Sequence, residues 1–200
     1  IIPMKCSELM LAPIKEVPKD ILAAQQAFPA LAQKATPSVV NISTISRKKV
    51  EPFFQFSPFF GDFFGDRTQP QYRQSSSLGS GFLINRDGYI LTNDHVIRDA
   101  DTIKVKLSNE KVYDARVVGR DPKTDLAVIK IDASDALPFA VLGDSDKLRV
   151  GQWAVAIGNP FGLDRTFTVG VVSATGRSNM GIETYEDFIQ TDASINPGNS

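Results

Sequence analysis

The feature that most constrains this chain is a succession of short, β-branched and alternating segments that begins after Pro37. We predict strands at residues 39–44, 81–84, 89–92, 103–107, 113–118, 126–131, 153–157, 167–172 and 188–191. Many of them follow at intervals of about 8–12 residues, and no strong helical pattern lies between them. This pattern predicts an all-β fold, and a linker at 132–138 divides the strands into two small barrels.

The linker and the change of period after Pro37 predict three parts. Residues 1–35 form a tail and a short helix over 20–35, which has an apolar side made by Ile21, Phe28, Leu31 and Ala35. Because proline lacks the N–H that an interior helix position donates, Pro29 must kink or split this helix. Residues 36–134 form the first barrel, and residues 138–200 form a second barrel that is incomplete at Ser200.

The segment 47–77 is too long for an ordinary barrel turn. It contains seven of the chain's 13 phenylalanines: Phe53, Phe54, Phe56, Phe59, Phe60, Phe63 and Phe64. Loops longer than about 12–15 residues without secondary structure are usually functional or disordered, and exposed apolar patches tend to mark interaction sites. We therefore favour docking on a neighbouring subunit or across an active-site mouth. The alternative is that the segment folds back over its own barrel.

Composition excludes several classes of function. The 22 Lys+Arg and 23 Asp+Glu residues give a net charge of −1, which argues against a nucleic-acid partner. No apolar run reaches the roughly 18 residues of a membrane-spanning helix. With one cysteine, Cys6, and one histidine, His95, no disulfide framework, Cys-rich zinc site or multi-histidine centre can form, and no metal or cofactor is implied. We prefer an unpaired thiol at Cys6. The alternative is a lipidated Cys6, and the lipid would associate the protein peripherally with a membrane.

Three residues carry chemistry when they are read together. His95 follows a predicted strand, Asp125 precedes an apolar strand 30 residues later, and Ser200 follows a glycine-containing turn 75 residues beyond Asp125. Individually they are consistent with an ordinary imidazole, a turn cap and a turn serine. Together they occur in the order His, Asp, Ser, which is the order of the two-barrel serine proteases.

The residue types match the chemistry of acyl transfer. A serine hydroxyl is a weak nucleophile and needs a neighbouring base, and an imidazole can accept its proton and later donate it to the leaving amine. Asp125 would fix the tautomer of His95 and stabilise its imidazolium form. The turn Gly198, Asn199 and Ser200 would supply backbone N–H groups to the developing oxyanion.

At these motifs the chain resembles the HtrA (Deg) serine proteases of the chymotrypsin-like clan. The resemblance extends from residue 35 to residue 200 and includes Gly-Ser-Gly-Phe at 79–82, Gly-Tyr-Ile-Leu-Thr-Asn at 88–93, the His95 and Asp125 motifs, Val-Ala-Ile-Gly-Asn-Pro-Phe-Gly at 155–162, and Gln-Thr-Asp-Ala at 190–193. Asp94 departs from the asparagine that is usual in the family. An extra carboxylate there would stabilise a protonated His95 if the two side chains were close.

The resemblance implies a chymotrypsin-like fold and an ATP-independent serine endoprotease. Its substrates would be unfolded or misfolded proteins in the bacterial periplasm, where it would serve envelope quality control and stress response, alongside a chaperone activity. It implies a trimer-based homo-oligomer, built partly by residues 20–44. It also implies that the Phe-rich segment engages neighbouring active sites, and that Arg177 in a sensor loop at 174–181 contacts the oxyanion turn.

Two alternatives belong to other classes. The first is a non-cleaving, peptide-binding or chaperone-like module, against which the three filled triad positions argue. The second, an all-β structural protein with coincidental motifs, is the least favoured. By resemblance we expect two glycines, the remaining strands of the second barrel and one or more PDZ domains beyond Ser200, so that a polypeptide ending there would be inactive.

Overall fold

The computed structural model describes residues 19–50, 71–159, 166–177 and 187–195. Within these ranges the chain consists mainly of strands, which confirms the all-β prediction. The elements in chain order are α1 (Lys19–Ala35), a 3₁₀ turn (Thr36–Ser38), β1 (Val39–Val50), β2 (Gln71–Leu83), β3 (Tyr89–Asn93), α2 (Asp94–Ile97), β4 (Thr102–Lys106), β5 (Val112–Asp121), β6 (Leu126–Ile131), a second 3₁₀ turn (Ser145–Lys147), β7 (Trp153–Gly158), β8 (Thr166–Arg177) and β9 (Phe188–Thr191). In the described parts, no helix has the length and apolar character that crossing a bilayer requires.

Strands β1 to β6 form a closed antiparallel barrel in the order β1-β2-β3-β6-β5-β4. Its interior follows from side-chain alternation, because successive residues of a strand point to opposite faces of a sheet. In β4, Ile103 and Val105 are buried while Thr102 and Lys104 are exposed. The core residues with no exposed surface are Val40, Ile42, Leu83, Ile90, Val105, Ile129 and Ile131. The barrel therefore has a packed interior, and chemistry must lie at its ends.

Residues 85–88, Asn-Arg-Asp-Gly, make the turn between β2 and β3. The Oδ1 atom of Asn85 accepts hydrogen bonds from the backbone N–H groups of Asp87 (3.1 Å) and Tyr89 (3.2 Å). Gly88 has φ = 89°, and a Cβ at this position would overlap the carbonyl oxygen of Ile131. Only glycine fits both the left-handed backbone and this close approach.

The long gap predicted at 47–77 is shorter in the structure. β1 and β2 remain paired from Val39↔Phe82 to Val50↔Gln71, so both ends of the predicted gap belong to a sheet. The polar composition of these ends hid the pairing, because a ladder is made by backbone groups and needs no apolar alternation. All seven phenylalanines lie within 51–70, outside the described residues.

Strands β7, β8 and β9 form a separate three-stranded antiparallel sheet in that order. Asn159, directly after β7, links this sheet to the barrel through its backbone. Its carbonyl oxygen accepts from the Nδ2 atom of Asn41 (2.8 Å), and its N–H donates to the Oγ atom of Ser80 (2.8 Å). These backbone groups of Asn159 are therefore satisfied at the junction, whereas its side-chain Oδ1 atom is buried and has no hydrogen-bond partner among the described residues.

Helix α1, up to Lys34, is a compact unit of its own. It continues through Pro29 as one element, so the structure does not split it there. Pro29 is exposed, and a solvated helix can lose one backbone hydrogen bond without ending.

Candidate active site

The ends of two paired strands bring His95 and Asp125 together. His95 lies in the one-turn helix α2, directly after β3, and Asp125 directly precedes β6. β3 and β6 are antiparallel neighbours, and their last pair is Asn93↔Leu126. This pair places Asp125 beside the first residues of helix α2, so His95 lies close to Asp125 although 30 positions separate the two in the chain.

The two side chains form a short, directed contact. The Nδ1 atom of His95 lies 2.6 Å from the Oδ2 atom of Asp125, and the backbone N–H of His95 donates to Oδ1 at 2.8 Å. Because a carboxylate can only accept, Nδ1 carries the proton and Nε2 is the acceptor nitrogen of the neutral ring. The His95 side chain is 53% exposed and that of Asp125 is 14% exposed, so the imidazole faces solvent over a nearly buried carboxylate.

Asp125 has an uncommon backbone conformation, with φ = 53°. Aspartate tolerates this left-handed region better than most residues, and several donors hold it there. Its carbonyl oxygen accepts from the backbone N–H of Asp94 (3.0 Å) and from the Nδ2 atom of Asn93 (3.2 Å), which also donates to Oδ2 (3.1 Å). Sequence reasoning missed this role of Asn93, because it depends on the β3–β6 pairing.

Asp94 is fully buried and is paired with two arginines. Its Oδ1 atom lies 2.5 Å from the Nε atom of Arg120, and its Oδ2 atom lies 3.2 Å from the Nε atom of Arg98. The hydrogen bond from Arg120 is the main cause that lowers the pKa of Asp94, whereas burial acts in the opposite direction. The charge that the sequence places beside His95 is thus compensated by two guanidinium groups. The i,i+4 spacing of Asp94 and Arg98 indicates one of these contacts, but Arg120 comes from a distant strand.

Gly198, Asn199 and Ser200 lie outside the described residues. The segment leading to them is anchored on β8. The Oδ1 atom of Asp192 accepts from the N–H of Val171 (2.7 Å), and the carbonyl oxygen of Ser194 accepts from the Oγ1 atom of Thr168 (2.8 Å). The described chain is therefore held on β8 as far as Ser194.

The predicted sensor loop at 174–181 is only partly described. Residues 174–177 belong to β8, where Arg177 pairs with Phe188, so the strand extends further than the sequence indicated. Small and polar residues carry this extension, and only the pairing with β9 reveals it. Residues 178–181 lie outside the described residues, and the sensor role of Arg177 stays a prediction.

A cavity of about 350 Å³ opens beside His95. Its walls carry both polar and apolar surface and include Thr44, Ser46, Ser75, Ser77 and Arg98. The hydroxyl groups come from β1 and β2, so the cavity lies between the barrel wall and helix α2. In the described part of the chain, no group of three or more His, Cys, Asp or Glu side chains could hold a metal ion.

Comparisons with known proteins agree with this geometry. The sequence profile of the family described as "Trypsin-like peptidase domain" matches residues 79–200. The chain is 52% identical over 189 residues to a "Probable periplasmic serine endoprotease DegP-like" from Marinomonas sp. (strain MWYL1), a match that covers 86% of this chain and 40% of the relative. It is 47% identical over 205 residues to a protein of the same name from Chlamydia pneumoniae, covering 94% of this chain and 42% of the relative.

The solved structures that resemble the chain are also proteases. One of them, titled "HtrA-type protease AlgW with decapeptide", superposes with a TM-score of 0.68 at 48% identity and covers 86% of this chain and 53% of that one. The chain spans about two fifths of the length of the curated relatives that it matches.

Proposed function

Because this chain belongs to the family of trypsin-like peptidase domains, we propose that it carries the catalytic machinery of a serine endoprotease, with His95, Asp125 and Ser200 as its triad. The observation that carries the proposal is the 2.6 Å contact between His95 Nδ1 and Asp125 Oδ2. This contact presents an exposed Nε2 acceptor, which is what a serine hydroxyl requires of a base.

Each residue has one task in the first half of the reaction. As the Oγ atom of Ser200 bonds to the substrate carbonyl carbon, its proton passes to Nε2 of His95, and the carbonyl π electrons move to oxygen. Backbone N–H groups of the turn at 198–200 stabilise this oxyanion. When the intermediate collapses, the C–N bond breaks, and the imidazolium donates its proton to the leaving nitrogen, which leaves an acyl group on Ser200.

In the second half, water replaces the amine. His95 takes a proton from water as the water oxygen attacks the acyl carbon, and the proton then returns to the Oγ atom of Ser200. Asp125 stays ionised throughout and stabilises the imidazolium that forms in each half. Its nearly buried carboxylate, with three donors at 2.6–3.1 Å, suits that role.

We propose that the substrates are unfolded or misfolded proteins in the periplasm, and that the protein acts in envelope quality control. The curated relatives are named periplasmic endoproteases, and the AlgW structure is titled with a decapeptide. An extended peptide could enter the 350 Å³ cavity beside His95, since its hydroxyl-lined walls offer donors and acceptors to peptide groups.

The domain organisation and regulation are part of the same proposal. Residues 36–134 would form one catalytic barrel and residues 138–200 part of a second. The protein would assemble as trimers through residues 20–44, with the Phe-rich segment docking on neighbouring subunits. Arg177 would contact the oxyanion turn when an effector orders the sensor loop, a recognised type of switch.

The test is made on the full-length gene product. A fluorophosphonate should add once, at Ser200, as located by peptide mass spectrometry, and the wild type should cleave a reduced, carboxymethylated protein. Ser200→Ala should bind that substrate without cleaving it, and His95→Ala should lose both cleavage and labelling. Binding without cleavage or labelling in the wild type would refute the protease and favour the non-cleaving peptide-binding module.

A further inference from the structure

We infer that Asp94 is a positioning residue for His95, because its buried carboxylate, held by Arg98 and Arg120, fixes helix α2 against the turn that carries Asp125. The inference rests on the proposed function, since it assigns the residue that keeps the base of the triad in place. This role needs no cofactor or second ligand, and a change in it would appear as a change in the rate of the chemical step.

The contacts connect the helix to β5. Arg120 is the last but one residue of β5, two positions before the turn at 122–125, and its Nε atom is 2.5 Å from Oδ1 of Asp94. The Nη1 atom of the same guanidinium donates to the carbonyl oxygen of Arg98, one residue past helix α2, at 3.3 Å. The side chain of Arg120 thus contacts both ends of helix α2: its first residue, Asp94, and the residue after its last, Arg98.

Helix α2 depends on such outside contacts. It has only four residues, and its N-cap residue, Asn93, makes no side-chain capping bond to it, since that amide bonds Asp125 instead. A single helical turn is unstable by itself, so its orientation is set by what its side chains contact. Val96 and Ile97 pack in the core and fix how deep the turn lies, but apolar contacts are non-directional. The backbone N–H groups of Asp94 and His95 donate to Asp125 at the start of the helix, and the Asp94 carboxylate adds directed side-chain contacts to Arg98 and Arg120.

The energetics make these contacts hard to replace. A buried carboxylate is costly unless it is paired and hydrogen-bonded, and removing one partner of a buried pair leaves an uncompensated charge. Asp94 has 0% exposed surface, while the side chains of Arg120 and Arg98 are 32% and 55% exposed. Arg120, at the shorter distance and with the less exposed side chain, should therefore matter more than Arg98.

The consequence for catalysis is geometric. Asp94 and His95 are consecutive residues of a one-turn helix, so a rotation of the turn moves the imidazole relative to the carboxylate of Asp125. A misplacement of about 1 Å can cost about 10²-fold in rate. A purely structural role would instead lower the folded population and leave the turnover of folded molecules unchanged.

The experiment measures kcat, KM and the fluorophosphonate labelling rate of the full-length protein. Asp94→Asn keeps the shape of the side chain and removes its charge, and Arg120→Gln removes the main partner. Both should lower kcat and the labelling rate by about 10- to 100-fold while KM changes by less than about twofold. Arg120→Lys, which keeps a charge but not the guanidinium geometry, should recover part of the loss, and Arg98→Gln should lose less than Arg120→Gln.

The matched control is Ile131→Val, which weakens the same barrel in its core at the end of β6 opposite to Asp125. This variant should unfold at lower urea and keep its kcat. If folded Asp94→Asn and Arg120→Gln proteins also keep kcat within about twofold, the positioning role is refuted. If Asp94→Asn does not fold, Arg120→Lys and Arg98→Gln decide in the same way.

Ser200→Ala, assayed in parallel, distinguishes a failure of the proposed function from a failure of the Asp94 role. If it retains turnover, the proposed function fails, whatever Asp94 does. If it is inactive while Asp94→Asn turns over at the wild-type rate, only the present inference fails.

Discussion

Replacing Asp125 by asparagine should abolish most catalysis without unfolding the barrel. Oδ2 of Asp125 accepts from Nδ1 of His95 and from Nδ2 of Asn93, while Oδ1 accepts from the backbone N–H of His95. An asparagine has one oxygen for these two positions, so its NH₂ group must face one set of donors.

The structure indicates which orientation the new amide adopts. With its oxygen at the Oδ1 position, the backbone N–H of His95 keeps an acceptor, and Asn93 still has the carbonyl oxygen of residue 125 at 3.2 Å. The NH₂ group then donates to Nδ1 of His95, and the ring proton moves to Nε2. In the opposite orientation, the NH₂ group meets the His95 N–H, a donor against a donor. The first orientation satisfies the imidazole and the backbone N–H of His95, and its only unfavourable contact is between the new NH₂ group and the Nδ2 atom of Asn93. It leaves a base that cannot accept a proton from Ser200.

The wrong tautomer determines how much kcat falls. A carboxylate-to-amide change in a Ser-His-Asp triad lowers kcat by about 10⁴, which corresponds to about 5 kcal/mol of transition-state stabilisation. The assay is peptide hydrolysis by the full-length protein, with a circular dichroism melt to confirm folding.

The control is Asp132→Asn, the same change beyond the opposite end of β6. Asp132 is 78% exposed and pairs with Lys130 at 2.6 Å, so its replacement should leave kcat within about twofold. A loss of less than about tenfold in a folded Asp125→Asn protein would refute the tautomer argument.

Three predictions concern stability, each measured as a urea unfolding midpoint. Gly88→Ala should lower the free energy of unfolding by about 1–3 kcal/mol, because its Cβ would overlap the carbonyl oxygen of Ile131 at a positive φ. Gly119→Ala, with nothing within 4 Å of the added Cβ, should lower it much less. Equal losses of stability in the two variants would contradict the predicted overlap at Gly88. Ser80→Ala should cost about 1–3 kcal/mol by removing the acceptor of a buried N–H after β7, and an unchanged midpoint would show that the junction is not held there. The lowered pKa of Asp94 means that its contribution is complete above its unfolded pKa of about 4 and is lost as the pH falls through the lower folded value. Asp94→Asn should therefore depend less steeply on pH below pH 4 than the wild type, and parallel curves would show that the carboxylate contributes nothing.

The sequence predicts the strands well because their apolar alternation is a local signal. Each predicted segment from 39–44 to 188–191 overlaps a strand of the structure. The errors occur where pairing is carried by backbone groups alone, as in the polar ends of β1 and β2 and the last residues of β8. At Pro29 the local propensity left a kink or a split open, and the helix is not split there.

The site is predictable to the extent that it follows chain order and residue type. His95 and Asp125 were chosen by type and order, and their 2.6 Å contact follows from the β3–β6 pairing. The partners of Asp94 could not be chosen this way. Arg120 is 26 positions away on β5, and only the closed barrel determines which of the charged side chains on that strand reaches helix α2.

The paired arms of β1 and β2 have a consequence for how this fold can change over time. Pairing of β1 with β4 ends at Ile45, so the last five pairs, from Ser46↔Ser75 to Val50↔Gln71, form a two-stranded ribbon. At about 3.4 Å per residue, the ribbon extends roughly 17 Å past the last three-stranded row. It holds residues 50 and 71 one strand spacing apart, so the 20 residues at 51–70 join two fixed ends. Doubling the length of such a connection costs only about 0.6 kcal/mol in closure entropy. Insertions and deletions at this position are therefore cheap for the barrel, and new binding specificities can evolve there without altering the site at His95.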